Sequence, residues 1–190
     1  MRDPAAFEDL YAADPDPWDF RTSAYEQGRY DAVMSALRRP RYRRAFEPAC
    51  SVGELTLRLA HRCDQLDAVE LSPTAAAQAQ QRCGALDHVH IEVGSVMDHG
   101  DQGYDLVVFS ELGYYFEAED LSLLVDHLVN KIEPGGELVA CHWLGTSPDH
   151  RLHGDEVHDV LATRPGLEAI GGRRHQGFRI ESWTRAAATP

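Results

Sequence analysis

The sequence predicts an α/β protein built on a doubly wound, mixed sheet of about seven strands, and three observations carry that expectation. Short β-prone runs alternate with helical runs through the middle of the chain, the last two β-prone runs have no helix between them, and 190 residues with 43% hydrophobic content suffice for one substantial core. Alternation of this kind implies parallel β-α units whose right-handed crossovers put helices on both faces. Two strands with no helix between them pair antiparallel, so the sheet should close in a C-terminal hairpin at one edge. A chain of this length buries roughly 70% of the surface that it exposes when unfolded.

The elements follow in order. After the Pro-interrupted DPDPWDF, residues 24–37 carry Tyr30, Val33, Met34 and Leu37 at helical spacing, an amphipathic helix ahead of the main fold. RRAFEPA reads as the first strand, GELTLRLAHRC as a helix, QLDAVELS as the second strand, and PTAAAQAQQRC as a helix with Pro73 suited to its first turn. VHIEV and the strongly apolar YDLVVFS are strands, DLSLLVDHLVNKI is a helix, and PGG turns into the strand ELVACHW. DEVHDVLATRP is the last helix, and LEAIGG and GFRIESWTR are the closing strands. No repeat, low-complexity tract or Gly/Ser linker divides the chain, so residues 1–40 are expected as an N-terminal lid and residues 41–186 as one globular unit.

The charge balance, 18 Lys+Arg against 31 Asp+Glu for a net −13, excludes clamping nucleic-acid phosphates and disfavours docking on anionic lipid. No stretch approaches the roughly 18 apolar residues of a membrane span, and MRDPAAFEDL lacks the apolar run of a signal peptide. The expected location is cytoplasmic. Cys50, Cys63, Cys83 and Cys141 fit neither zinc knuckles nor a disulfide scaffold and read as reduced thiols. The histidine pairs His88/His90 and His150/His153 lack a third ligand at a regular offset, so no metal centre is expected.

Ligands of an open parallel sheet bind outside the carboxyl ends of its strands. The first strand ends in Glu47-Pro48-Ala49-Cys50-Ser51-Val52-Gly53. Small residues at Ala49, Ser51 and Gly53 would let backbone approach a ligand, although a tight turn alone would also use them. The second strand ends at Glu70, 23 residues after Glu47, where a carboxylate can accept hydrogen bonds from both ribose hydroxyls. A third strand end, Gly94-Ser95-Val96-Met97-Asp98, offers a polar contact and an apolar flank for an adenine ring, or is an ordinary loop. The turn is not the dinucleotide fingerprint, in which pyrophosphate sits on the following helix N-terminus. Here Glu47 and Glu54 flank that helix start and would repel pyrophosphate. They suit a cationic ligand instead, and S-adenosylmethionine has the ribose, the adenine, a sulfonium and an ammonium, with no phosphate.

FEPACSVG, VELS, GSVMD, YDLVVFSELGYY and IEPGGELV, over about residues 43–143, resemble the motif series of class I S-adenosylmethionine-dependent methyltransferases, whose sheet is Rossmann-like. YAADPDPWDFRTSAYEQGRYDAVMSAL ahead of the turn, with HGDEVHDVL later, is similar to the nodulation protein S-type N-methyltransferases, which modify the amino group of a chitooligosaccharide precursor. The sequence departs from the usual G-x-G-x-G turn and has Ser95 where many class I members have Asp.

The resemblance implies roles. Glu47, Ala49, Ser51, Gly53, Glu70, Leu71, Ser72, Ser95, Val96, Met97 and Ser110 would line the cofactor. Trp18 and Phe20 would cover it, with Tyr25 giving a hydroxyl and Arg29 a guanidinium for its carboxylate; Trp18 and Phe20 would equally serve as a plain cap on the sheet. Glu111 would meet both cofactor and acceptor; Tyr114 and Tyr115 would line the acceptor channel or simply pack under the loop; and His142, beside Trp143, would be the general base or, equally, a satisfied structural histidine. The acceptor would be an aminosugar or another small amine, since Glu111, Tyr114, Tyr115, Phe116, Glu117 and Glu119 combine rings with carboxylates. Glu117 to Asp120 is also an ordinary helix start. An O-methyltransferase, a non-catalytic cofactor or nucleoside binder and, most remotely, a nicotinamide dehydrogenase remain open, as does the oligomeric state.

Overall fold

The computed structural model describes residues 4–100 and 102–187; positions 1–3 of the expected lid lie outside them. The chain runs α1 (Pro4–Ala13), α2 (Ala24–Ala36), β1 (Tyr42–Glu47), α3 (Glu54–Ala60), β2 (Cys63–Glu70), α4 (Pro73–Cys83), β3 (Val89–Val93), β4 (Tyr104–Ser110), a 3-10 turn (Gly113–Tyr115), α5 (Ala118–Lys131), β5 (Ile132–Trp143), α6 (Gly154–Ala162), β6 (Leu167–Arg174) and β7 (Phe178–Arg185). The seven strands are ordered β3-β2-β1-β4-β5-β7-β6. β1, β2 and β3 pair in parallel, as do β4 and β5, whereas β7 runs antiparallel to both β5 and β6. The expected mixed sheet with its C-terminal hairpin is the observed one.

The chain divides into two compact units, one ending at His99 and the other starting at Gly100. Helices α1 and α2 fall in the first unit. In that unit Leu66, Ala68 and Val69 of β2 are buried with Ala75, Ala76 and Ala79 of α4, small residues that let a helix lie close to the sheet. Helix α1 was not expected from the sequence. Phe7, Leu10 and Tyr11 mark its apolar face at helical spacing, but the prolines that follow it masked the pattern. It is joined to α4 by Glu8, whose carboxylate accepts from the Ser72 hydroxyl at 2.6 Å and the Thr74 amide at 3.1 Å.

In the second unit Leu121, Leu124, Val125, Leu128 and Val129 of α5 are buried, the i, i+3, i+4, i+7 stripe that a helix lays on a sheet. Strand β5 starts earlier than expected and contains the PGG segment. Its register with β4 shifts between Tyr104, opposite Ile132, and Leu106, opposite Glu137, so Pro134 and Gly135 (φ +79°) bulge out of the ladder. Among the described residues no helix is long and apolar enough to cross a membrane, and no group of three or more His, Cys, Asp or Glu could hold a metal. All four cysteines are buried and none forms a disulfide.

Candidate functional site

In the first unit the turn after β1 and the end of β2 are locked together. Glu70, buried at the end of β2, accepts the Ser51 amide and the Ser72 amide at 2.8 Å each, one on either carboxylate oxygen. Burial pushes its proton affinity up, against the pull of the Ser72, Ser51 and Leu71 amides. The carboxylate expected at ribose hydroxyls thus first shapes the turn at the end of its own strand. Ser51 itself is left-handed (φ +49°) and shares a hydrogen bond of 2.5 Å with the Tyr11 hydroxyl. Gly53 has φ +81°, and a Cβ there would lie 2.9 Å from Ala79. Its small size is therefore demanded by α4, whether or not a ligand lies over it. Ala49 is half-buried.

Glu47 differs from Glu70. It is buried, its Oε2 makes no hydrogen bond, and the Thr56 hydroxyl is likewise without one. Burial pushes the carboxyl up to about 8, with the nearby Thr56 hydroxyl opposing the rise and the charge of Glu70 adding to it. An unmatched carboxyl at the foot of a strand-end turn is costly and calls for a partner that can donate to it. Glu54, expected to add to the negative field, does not stand alone: Arg82 forms an ion pair with it and also donates to the Val52 carbonyl.

Ser72 caps α4, accepting from the Ala75 amide at 3.1 Å, and Leu71 is half-buried beside it. Ser95 accepts the Met97 amide at 3.2 Å; Val96 is buried and Met97 exposed, an apolar flank at the expected position. Trp18 and Phe20 stack on one another with centroids 5.5 Å apart and pack against Tyr11, Val52 and Ala75. Tyr25 and Arg29 part company on their helix: Tyr25 is 43% exposed and Arg29 1%. The Arg29 guanidinium is already paired with Glu26, at 3.0 Å through Nε, so a cofactor carboxylate would have to share it.

In the second unit β4 ends at the half-buried Ser110, and Glu111 follows in a left-handed conformation (φ +55°). Strain of that kind persists only where its surroundings enforce it. Here Glu111 Oε1 accepts the Trp143 amide at 2.8 Å and Oε2 accepts the Tyr114 hydroxyl at 2.5 Å, so one carboxylate ties the end of β5 to the 3-10 turn. Tyr115 is half-buried next to Tyr114, and Phe116 is buried. Glu117 occupies the N-cap position of α5, with Glu119 and Asp120 in its first turn, which favours the helix-start reading of that charge run.

His142 lies next to the end of β5. It is fully buried, and its Nε2 accepts the Gly113 amide at 3.2 Å. That fixes the ring proton on Nδ1, which donates to His158 Nε2 at 3.3 Å; His158 Nδ1 in turn donates to Glu181 at 2.8 Å. With its lone pair committed to a backbone amide, His142 here is a satisfied, buried histidine that holds the turn carrying Tyr114. His158 and Glu181 lie 16 and 39 positions along the chain, and only the pairing of β5 with β7 and the placement of α6 bring them to it. The structure also puts His150 beside Tyr114, with ring centroids 3.8 Å apart and nearly parallel.

The family model described as "Nodulation protein S (NodS)" matches residues 7–146. Nodulation protein S of Sinorhizobium fredii NGR234 is 31% identical over 127 residues, which is 65% of this chain and 59% of that relative. The chain thus spans about three fifths of the length of that curated relative. A Pseudomonas syringae crystal structure described as a candidate methyltransferase is 35% identical, with a TM-score of 0.77, over 86% of this chain and 100% of its own. The N-methyltransferase NodS of Bradyrhizobium japonicum WM9, in complex with S-adenosyl-L-homocysteine, shares the fold: TM-score 0.84 at 22% identity, over 95% of this chain and 97% of its own. The chain belongs to the nodulation protein S family.

Proposed function

We propose that this chain is an S-adenosylmethionine-dependent N-methyltransferase and that its acceptor is a small amine, foremost the amino group of a chitooligosaccharide-like aminosugar. The observation that carries the cofactor is Glu47, a buried carboxyl whose Oε2 has no partner, in the turn where an ammonium would supply one. Glu70 fits a ribose, having a lone pair left after binding the Ser51, Ser72 and Leu71 amides, and Val96 with Met97 fits the flank of an adenine. The family and the solved relatives support the same reading.

When bound, the cofactor supplies a methyl on a sulfonium: the acceptor nitrogen's lone pair forms the new N–C bond as the C–S bond breaks and its electron pair stays on sulfur. What remains for the protein is to orient the reactants and exclude water, and good placement contributes on the order of 7–11 kcal/mol. Glu47 and Glu70 hold the cofactor, Trp18 and Phe20 shield it, and Glu111 with Tyr114 holds the acceptor's polar group.

Titration calorimetry with S-adenosylhomocysteine and with NAD tests the cofactor. Only the former should bind, and Glu47→Gln should weaken it by about 10–100-fold, as expected for a buried hydrogen bond to a charged group. Because the Glu47 carboxyl is raised to about 8, pairing it with an ammonium at neutral pH should release a proton, visible as a dependence of the binding heat on the ionisation enthalpy of the buffer. Equal affinity of wild type and Glu47→Gln, or preference for NAD, would overturn the assignment.

A further inference from the structure

The segment between β5 and α6, residues 144–153, folds back on its own origin. The His153 ring bonds the Leu144 carbonyl at 2.7 Å, and the Arg151 and Leu152 amides both donate to the Tyr114 carbonyl, at 2.7 and 3.3 Å. Gly145 lies flat against the Trp143 indole, where a Cβ would come within 1.9 Å of the ring. This folding delivers His150 among three aromatic rings. It stacks on Tyr114 at 3.8 Å and 18°, and it stands edge-on to Tyr115 at 5.2 Å and 86° and to Trp143 at 5.9 Å and 85°. A parallel floor with two perpendicular walls is the geometry of an aromatic cage, which suits an organic cation or the apolar face of a sugar.

The imidazole that fills this cage fits it poorly. Its Nδ1 is buried and has no hydrogen-bond partner, a cost carried for as long as the ring stays seated. Burial lowers its proton affinity, with Asp149 opposing and His153 adding to the effect, so the occupant is neutral. It forgoes the cation–π attraction that an ammonium would gain in the same place. The Glu111 carboxylate, tied to the Tyr114 hydroxyl and the Trp143 amide, puts negative charge at the edge of the cage.

We propose that His150 is an internal stand-in for the acceptor: it occupies the cage of Tyr114, Tyr115 and Trp143 in the free protein and is displaced by an aminosugar, which docks there in its ammonium form and gives up that proton to solvent before its nitrogen can take the methyl. The proposal rests on the reading that the chain methylates an amine, and it adds what holds that amine and what keeps the site closed without it. A site competent only when the ring is out binds with its intrinsic constant divided by the open fraction.

The test titrates wild type, His150→Ala and His150→Phe with D-glucosamine in the presence of S-adenosylhomocysteine, following the heat and the histidine ring proton resonances. If the ring is seated nine times in ten, His150→Ala should bind glucosamine about tenfold more tightly than wild type, and His150→Phe, whose ring cannot be charged and keeps the cage filled, should bind no better than wild type. In wild type the His150 ring protons, shifted upfield by the Tyr114 face, should return toward ordinary positions as glucosamine saturates the site. Equal or weaker binding by His150→Ala, absence of glucosamine binding in wild type and His150→Ala alike, or a His150 resonance that stays shifted at saturation would each overturn the proposal. Unchanged affinity with lost turnover in His150→Ala would make the residue a proton acceptor and overturn it too. The S-adenosylhomocysteine affinity of wild type reports separately on the cofactor reading and should be the same in all three proteins.

Discussion

The two units of this molecule handle buried polar groups in opposite ways. In the first, Glu70 is satisfied by backbone amides while Glu47, on the neighbouring strand, is left with an unmatched oxygen. In the second, Glu111, Tyr114 and the Trp143 amide satisfy one another, Gly113, His142, His158 and Glu181 form a connected series, and an unmatched atom belongs to an imidazole inside a ring of aromatics. The first arrangement waits for a ligand's donor. The second already holds a substitute. On the proposed reading, binding in the first unit would need only the exchange of solvent for ligand, whereas binding in the second would need an exchange of one ring for another.

The comparison is easiest to break in the backbone of the first unit. Gly53→Ala would force a side chain into a left-handed conformation and against Ala79. It should cost about 2–5 kcal/mol in denaturant unfolding, the sum of backbone strain and overpacking. A stable Gly53→Ala protein would mean that the turn is softer than its close packing implies.

The two units should also respond to pH with opposite signs. Glu47 has its folded proton affinity raised, to about 8, so the free protein loses stability as pH climbs from the ordinary carboxylate range through 8, where the folded state must shed a proton that the unfolded state has already lost. Glu181 is held low in spite of its own burial by His158 and Arg179; its contribution is present above the unfolded value and is lost as pH falls through the folded one. Melting of Glu47→Gln should accordingly show a gain in Tm that grows from pH 6 to pH 9, and Glu181→Gln a loss that is largest near neutrality and shrinks in acid. Parallel pH profiles for both variants would refute the contrast.

The smallest effect is expected where the N-terminal helix meets the turn. Tyr11→Phe removes the hydroxyl that bonds Ser51 and should cost about 0.5–1.5 kcal/mol of stability. A much larger loss of S-adenosylhomocysteine affinity would place Tyr11 within the binding site itself.

Much of the architecture was legible in the sequence because it follows from periodicity. The β-α alternation, the helix-free stretch before GFRIESWTR and Pro73 at a helix start each rest on local spacing, and each found its element. The ends of β1 and β2 were legible for the same reason, since the residue after a strand can be counted. What could not be read was the set of partners that each side chain finds. His142 looked like a base because it ends a strand, but the amide that occupies it comes from Gly113, 29 positions earlier, and its other neighbour from α6. Glu54 looked like part of a negative field until α4 brought Arg82 to it. His150 drew notice only as half of a histidine pair with no third ligand, because nothing in DHRLH says that the segment turns back on Trp143.

That turning back has a consequence for how such a chain could change its chemistry. Leu144 and His153 are bonded to one another across the base of the segment, and His153 also caps α6 in a box with Glu156. The nine peptide bonds between these two residues start and finish at the same spot, so their contents can be lengthened, shortened or exchanged without asking β5 or α6 to move. Compact surface loops of this form tolerate such replacement well. A graft of another loop between Leu144 and His153 would be a route to a new acceptor that leaves the rest of the scaffold as it is.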